Sequence, residues 1–230
     1  MTARPPEHLP PDPLPGEHPP QGRPPALRPR GGRGATAVLT AARAAYLRGD
    51  SLDMSALAAG LGVGRATLYR LAGNREDLLG AVLSDATEWT FRAAVRDVDA
   101  RRPGPTGGAR VLAVLDVFMH RVVAAEPLRA LTAREPRLFV RLATSPGLIE
   151  SRSAALLRAL LDEEVGAGRM TPLLPVPVLA QAIVRIGDGP LYAHLLGGGE
   201  PRIDEALAVA AVLLGLPPGD LGPIDTPGTR

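Results

Sequence analysis

From residue 35 onward, apolar residues recur every three or four positions, and no stretch shows a sustained alternation with period two. A spacing of three and four places apolar side chains on one face of an α-helix, whereas alternation would place them on one face of a strand. Glycine and proline divide the pattern into segments. The sequence therefore predicts an all-α fold, and its 3% content of aromatic residues also argues against a sheet-rich fold.

The helical segments and the composition divide the chain into four parts. Eleven of the first 29 residues are proline, so residues 1–32 are interpreted as a disordered Pro/Arg-rich arm, which either adds DNA contacts or only solubilises the chain. Residues 33–80 are predicted to form a three-helix domain, residues 81–216 a larger helical domain, and residues 217–230 a flexible tail. The larger domain should continue the helix that starts near residue 75 and add helices at about 107–125, 127–134, 136–143, 147–166, 176–196 and 203–216.

Residues 53–71 have the features of two short helices joined by a tight turn. Asp53 is placed to cap the first helix, and Gly62 lies where the connection needs a positive φ. Ala58 is small where the two helices would cross closely, and Leu68 is apolar where they would share a core. Asn74, with Asp77 three residues on, is placed to cap the next helix. The second helix would present basic and hydrogen-bonding side chains outward, which suits base edges and phosphates. The spacing therefore predicts a helix-turn-helix.

The string LAAGLGVGRATLYRLAGNREDLL, residues 57–79, follows a segment ending in AAYLRGD and closely resembles the N-terminal domain of the TetR family of one-component repressors. The resemblance covers about residues 34–80 and implies that the helix from residue 65 enters the major groove. Gly64 and Ala72 depart from the family pattern, because Ser or Thr and phenylalanine are usual there. The residues predicted to contact DNA are Arg33, Asp53, Ser55, Arg65, Ala66, Thr67, Tyr69, Arg70, Asn74 and Arg75.

The strings REPRLFVRLATS, LLDEEVGAGRM and VRIGDGPLYAH resemble the QsdR-type branch of the same family, named for a regulator of quorum-signal lactone degradation. The apolar, aromatic-poor sequence of this domain suits a pocket for a small amphipathic effector. The resemblance narrows the class of effector to lactones. The alternatives are an ordinary core for the aromatic residues and an intrahelical ion pair for the polar ones. The residues predicted to line the pocket are Trp89, Phe118, His120, Phe139, Leu142, Arg185, Asp188 and Tyr192.

The last two predicted helices carry an apolar stripe with small residues, which suits a four-helix bundle across a two-fold axis. The sequence therefore predicts a homodimer. The residues predicted at its interface are Val178, Leu195, Leu207, Ala210, Leu213 and Leu214.

Several classes of site are excluded by composition and motif. The absence of cysteine removes disulfides, thiolate metal sites and thiol nucleophiles. No Gly-rich phosphate loop, GxSxG elbow or HExxH motif occurs, and His120, Asp188 and His194 lack a metal-ligand spacing. We therefore expect no enzyme activity, no metal and no cofactor. The acidic residues 162–164 are interpreted as surface charge.

The longest nearly unbroken apolar run, residues 206–216, is too short to cross a membrane. The first residues also lack the apolar stretch of a signal peptide, so we expect a cytoplasmic protein without a membrane partner. The sequence as a whole predicts a homodimeric, ligand-responsive transcriptional regulator that binds a palindromic operator in double-stranded DNA. The resemblance implies that it is a repressor, as is usual in the family. The alternatives are a helical enzyme or a protein-interaction module in which the helix-turn-helix segment is only structural.

Overall fold

The computed structural model of the protein describes residues 32–101, 103–144, 147–192, 194–197 and 200–217. The predicted arm before residue 32 and the tail after residue 217 lie outside these ranges. Every regular element in the described residues is a helix, which confirms the all-α prediction. The helices are α1 (Arg33–Leu47), α2 (Met54–Gly60), α3 (Arg65–Ala72), α4 (Arg75–Asp99), α5 (Gly107–Ala124), α6 (Glu126–Arg134), α7 (Pro136–Thr144), α8 (Leu148–Gly166), α9 (Val176–Tyr192), α10 (His194–Gly197) and α11 (Ile203–Leu213).

The caps that the sequence predicts are formed. The Asp53 carboxylate accepts hydrogen bonds from the backbone N–H groups of Ser55 and Ala56, at 2.7 and 3.2 Å, and so starts α2. Asn74 and Asp77 form a reciprocal capping box at the start of α4. Gly62 adopts a φ of 66° in the turn between α2 and α3. These caps and the turn at Gly62 define the helix starts of the helix-turn-helix through local interactions alone.

Two of the predicted boundaries differ from the structure. The predicted helix over residues 176–196 is assigned to α9 and α10. The last helix ends at Leu213 rather than at residue 216, because the chain turns at Gly215 with a φ of 75°. Pro190 lies inside α9, where the lack of an N–H removes one bond of the helix.

One apolar core joins the three-helix domain to the larger domain. Leu68 of α3 and Ala42 of α1 are fully buried in it. Leu131 of α6 and Phe139 of α7 belong to the same cluster. Side chains of the first three helices, of α4 and of α6 and α7 are therefore buried in one shared core.

A second core lies among α4, α5, α8, α9 and α11. Next to it, Glu164 is fully buried, although the sequence is interpreted as placing residues 162–164 at the surface. Its carboxylate accepts hydrogen bonds from the Gly107 N–H at 2.7 Å and from Arg110 at 2.6 Å. Arg169 donates two more, at 2.7 and 2.8 Å. Burial is possible because every acceptor position of the carboxylate is matched by a donor.

None of the helices in the described ranges combines the length and hydropathy that a membrane span requires.

Candidate functional site

Helix α3 carries five of the ten residues predicted to contact DNA. Leu68 is fully buried and fixes the helix on the core. Arg65, Ala66 and Arg70 are exposed, and the side chain of Tyr69 is 49% exposed. Neither arginine forms an ion pair with a described residue. The helix thus presents two uncompensated cations and a phenol to solvent, beside the half-buried Thr67.

The start of α1 lies against the end of α3. A Cβ added at Gly34 would be 3.2 Å from Leu71, so the two helices approach closely there. Arg33, the first residue of α1, is exposed beside this contact. It therefore adds a third cation near the face of α3.

Three of the predicted DNA contacts lie at helix starts. Asp53 and Asn74 use their side chains as caps, which assigns them a local structural role. Ser55 is exposed in the first turn of α2. These residues border the exposed face of α3 without being part of it.

Arg75, which is predicted to contact DNA, is held by hydrogen bonds within the chain. Its Nε donates to the Leu52 carbonyl oxygen at 2.8 Å, and its two Nη atoms donate to the Glu135 carboxylate at 2.9 and 2.5 Å. This bidentate ion pair lowers the pKa of Glu135 and raises that of Arg75, with the hydrogen bonds as the largest cause. The guanidinium is therefore held against the larger domain instead of facing outward. Nothing in the local sequence indicates that Arg75 pairs with a residue sixty positions along the chain.

A cavity of about 90 Å³ lies between the two domains, walled mainly by apolar residues of α4, α5, α7, α8 and α9. Four of the residues predicted for a pocket line it: Phe118, Phe139, Asp188 and Tyr192. The rings of Phe139 and Tyr192 meet edge to face, with centroids 5.1 Å apart. An adjoining cavity of about 210 Å³ shares this ring pair.

The other four predicted pocket residues do not line the cavity. Trp89 is 61% exposed on the outer face of α4, opposite the positions that pack inward. His120 is exposed and lies 3.0 Å from the Asp116 backbone oxygen. The Arg185 Nε lies 3.1 Å from a carboxylate oxygen of Glu150 on α8, and Leu142 packs on the first core. Residue type alone suggests these four as pocket residues, but each lies on a part of its helix that does not line the cavity.

Tyr46 is a cavity residue that the sequence analysis missed. It lies near the end of α1, in the helix-turn-helix domain, and it lines the cavity together with Thr87, Thr90 and Ser153. The polar residues of α4 could have been found from the sequence, because Leu83, Thr87 and Thr90 repeat at helical spacing on one face. Nothing in the sequence indicates that α1 would reach the cavity.

Burial controls the acid–base properties of the polar cavity residues. It raises the pKa of Asp188 to about 7, with a smaller contribution from the negative charge of Glu150. It also raises the pKa of Tyr46 to about 12 and that of Tyr192 above its ordinary value. In the described part of the chain, no group hydrogen-bonds to the Asp188 carboxyl or to either phenol. Tyr46, Asp188 and Tyr192 thus bring polar groups without a described hydrogen-bond partner into a mainly apolar wall.

The sequence and the fold are similar to those of known proteins. Residues 106–215 match the family model described as the tetracyclin repressor-like, C-terminal domain. The structure of the transcriptional repressor QsdR from R. erythropolis, of the TetR family, is similar with a TM-score of 0.77 and 44% sequence identity. That match covers 82% of this chain and 97% of that one. The chain belongs to the TetR family.

A second TetR-family structure supports the fold alone. The repressor AlkX from Dietzia sp. strain DQ12-45-1b, implicated in biodegradation of n-alkanes, has a TM-score of 0.55 and 24% identity, covering 80% of this chain and 96% of that one. No match is found among curated proteins. TetR-family repressors are ligand-responsive transcriptional regulators that bind DNA and small molecules and act as dimers. The similarity to QsdR confirms the predicted family and branch.

For a TetR-family protein, the exposed apolar side chains of α9 and α11 are the natural place for a second subunit. Val178 and Ile186 on α9 are 52% and 45% exposed, and Val212 on α11 is 52% exposed. Val178 is one of the residues predicted at the dimer interface. The other predicted interface residues are less exposed in the single chain. Ala210 and Leu214 are buried in the second core, Leu207 and Leu213 are half-buried against it, and Leu195 packs on the first core.

Proposed function

We propose that this TetR-family chain is a homodimeric repressor that binds a palindromic operator through α3 and leaves it when a small amphipathic effector fills the cavity. The exposed face of α3 carries the proposal. Arg65 and Arg70 are unpaired there, and each is able to donate two parallel hydrogen bonds to the O6 and N7 atoms of a guanine. Tyr69 is exposed beside them and serves as a phosphate contact.

A symmetric dimer determines the form of the operator. Two copies of α3 related by a two-fold axis read two inverted half-sites, with centres about 34 Å apart along one face of the duplex. The exposed valines and isoleucine of α9 and α11 supply the apolar surface for that dimer. The operator is therefore a palindrome with half-sites about one helical turn apart.

The effector is an uncharged amphiphile, for which a lactone is the proposed class. An apolar wall suits an alkyl chain, and three polar side chains suit one oxygen-bearing group. With a pKa of about 7, a large share of Asp188 is protonated at neutral pH. It is then able to donate a hydrogen bond to the carbonyl oxygen of a lactone.

Helix α7 connects the cavity to the start of α4. Phe139 lines the cavity, while Arg141 on the same helix pairs with Glu76 at 2.6 Å. Glu135, which precedes α7, holds Arg75. An effector that displaces Phe139 thus changes contacts at the base of the helix-turn-helix. The loss of operator affinity is at most the effector's difference in affinity for the two conformers.

The test is selection of the purified protein against random-sequence duplex DNA at physiological salt, read by sequencing. We expect an inverted repeat. The Arg65→Ala and Arg70→Ala variants should each weaken binding to it by about 1–3 kcal/mol and relax preference at one base pair per half-site. Recovery of no motif by a folded dimer would contradict the proposal.

A further inference from the structure

Tyr46 brings the DNA-binding domain into the cavity. It belongs to α1, the helix whose first turn packs against Leu71 of α3, and its side chain lines the cavity beside Asp188 and Tyr192. The wall of the cavity is therefore formed by both domains. A molecule bound there touches the helix that supports α3 without an intervening element.

Tyr46, Tyr192 and Asp188 line the same cavity, and the charge of Asp188 adds to the effect of burial in raising the pKa of Tyr192. None of the three side chains hydrogen-bonds to another described residue. Polar groups that face an apolar cavity without a protein partner favour a ligand that supplies one.

We propose that the effector's oxygen-bearing group is bound jointly by Tyr46 of α1 and by Tyr192 and Asp188 of α9, so that the DNA-binding domain senses the ligand directly. This inference rests on the proposed function and adds that Tyr46 is the residue through which ligand binding in the cavity affects the DNA-binding domain. The two phenols and the protonated carboxyl all donate hydrogen bonds, and the complementary ligand is a neutral carbonyl compound. A carboxylate ligand is disfavoured by the apolar wall and by the negative charge of Glu150, which acts at Asp188.

The position of Tyr46 gives its hydrogen bond a different consequence from that of Tyr192. Tyr192 shares α9 with Asp188, so its distance to the bound group is the same in any arrangement of α1. The bond to Tyr46 crosses between α1 and α9 and depends on their relative position. A contact that differs between two conformers shifts their populations, whereas a contact present in both only adds affinity.

The experiment compares two matched variants, Tyr46→Phe and Tyr192→Phe, each of which removes one hydroxyl and keeps the ring. The probe is γ-nonalactone, with the pentyl-substituted tetrahydrofuran as the same ring and chain without the carbonyl. Nonylamine and nonanoate test cationic and anionic head groups. Affinity for the free protein is measured by calorimetry, and affinity for the selected operator is measured with and without saturating probe.

We expect the lactone to bind more tightly than the carbonyl-free ether and than nonanoate, and each variant to lose about 3- to 10-fold in lactone affinity. At saturating lactone, Tyr192→Phe should still release the operator as the wild type does, whereas Tyr46→Phe should release it less. Circular dichroism and operator affinity without probe report whether each variant folds.

Four results would overturn the inference. Equal binding of the lactone and the ether, preferred binding of the amine, or no binding of any probe would remove the neutral carbonyl class. Full release by saturated Tyr46→Phe would remove the role of Tyr46. None of these results bears on operator selection, so failure of the DNA-binding proposal is recognised separately by the absence of an enriched motif.

Discussion

Arg75 at the start of α4 is bound to Glu135, between α6 and α7, by two parallel hydrogen bonds of 2.9 and 2.5 Å. The same guanidinium also donates to the Leu52 carbonyl oxygen, just before α2. One side chain thus joins the start of the helix-turn-helix, the start of α4 and the larger domain. This arrangement neutralises the cation that the sequence resemblance assigns to the DNA.

Replacing Glu135 with glutamine should release the charge of Arg75 toward the DNA. We expect higher operator affinity at low salt and a log–log salt dependence steeper by about one counterion, because one more cation is available to the phosphates. We also expect weaker release by effector, since the residue before α7 loses its ion pair with the start of α4. Operator titrations from low to physiological salt measure both effects.

Glu76→Gln is the matched control for that variant. It removes the pairing with Arg141 on the same two helices, where both side chains are about half exposed. An exposed pair contributes little, so the salt dependence should change less than in Glu135→Gln. Equal slopes for Glu135→Gln and the wild type would show that Arg75 does not reach the phosphates.

Glu164 and its neighbour Glu163 offer a test of the buried polar cluster. Glu164→Gln leaves donors of Gly107, Arg110 and Arg169 facing an amide, and should lower the free energy of unfolding by about 3 kcal/mol. Glu163→Gln, on an exposed side chain, should change it by less than about 0.5 kcal/mol. Urea unfolding at pH 7 measures both. Similar values for the two variants would contradict the structural role of Glu164.

The same carboxyl predicts an acid limit to stability. Hydrogen bonds from Arg169, then from Gly107 and Arg110, lower its pKa from 4.5 to about 2. The unfolded chain therefore binds this proton first as the pH falls, and the stabilisation is complete above about pH 4.5 and is lost as the pH falls toward 2. Wild-type protein should lose stability across this window, and Glu164→Gln should lose less. Parallel acid titrations of the two would argue against this assignment.

Asp188 predicts the opposite dependence. Burial, with a smaller effect of Glu150, raises its pKa from 3.8 to about 7, so the folded chain holds the proton longer as the pH rises. Its ionisation lowers stability progressively between pH 3.8 and 7, and the loss is complete above 7. Asp188→Asn should therefore stabilise the protein by about 2 kcal/mol more at pH 8 than at pH 5. The exposed Asp162→Asn should show no such difference in thermal unfolding.

Charge placed on the exposed surface of α11 should prevent dimerisation. Val212→Asp puts a carboxylate on a side chain that is 52% exposed in the subunit, so the fold tolerates it while an apolar interface does not. Sedimentation should show monomers. The control is Leu47→Asp, at a side chain 58% exposed on α1, which should remain dimeric. Dimers of Val212→Asp at micromolar concentration would place the interface elsewhere.

The sequence predicts most of the helices and the face of α3, because these depend on local rules. Asp53 and Asn74 cap where their types predict, and Leu68 is buried where the spacing places it. The apolar stripe of α11 was also recognised. Its buried and exposed sides were not distinguished, since Ala210 and Val212 are both apolar and only the packing of α9 and α5 separates them.

The contacts that the sequence does not predict are the long-range ones between polar groups. Arg75 meets Glu135 across sixty residues, and Tyr46 reaches a cavity formed mainly by later helices. Glu164 stands in an acidic run typical of a surface, yet it is buried because three donors converge on it. Such burial depends on partners from other elements, which helical periodicity does not encode.

Helix α4 is held at both ends by arginine. Its first residue, Arg75, binds Glu135, and its last residue, Asp99, accepts two hydrogen bonds from Arg110 at 2.7 and 2.9 Å. At 1.5 Å per residue, this helix is a rod of about 37 Å. With the Asp99 end fixed, a rotation of about 5° moves the Arg75 end by about 3 Å, roughly the rise of one base pair. In the proposed dimer, loss of the ion pair at Arg75 would therefore permit a tilt of α4 large enough to move a recognition helix out of register with its half-site.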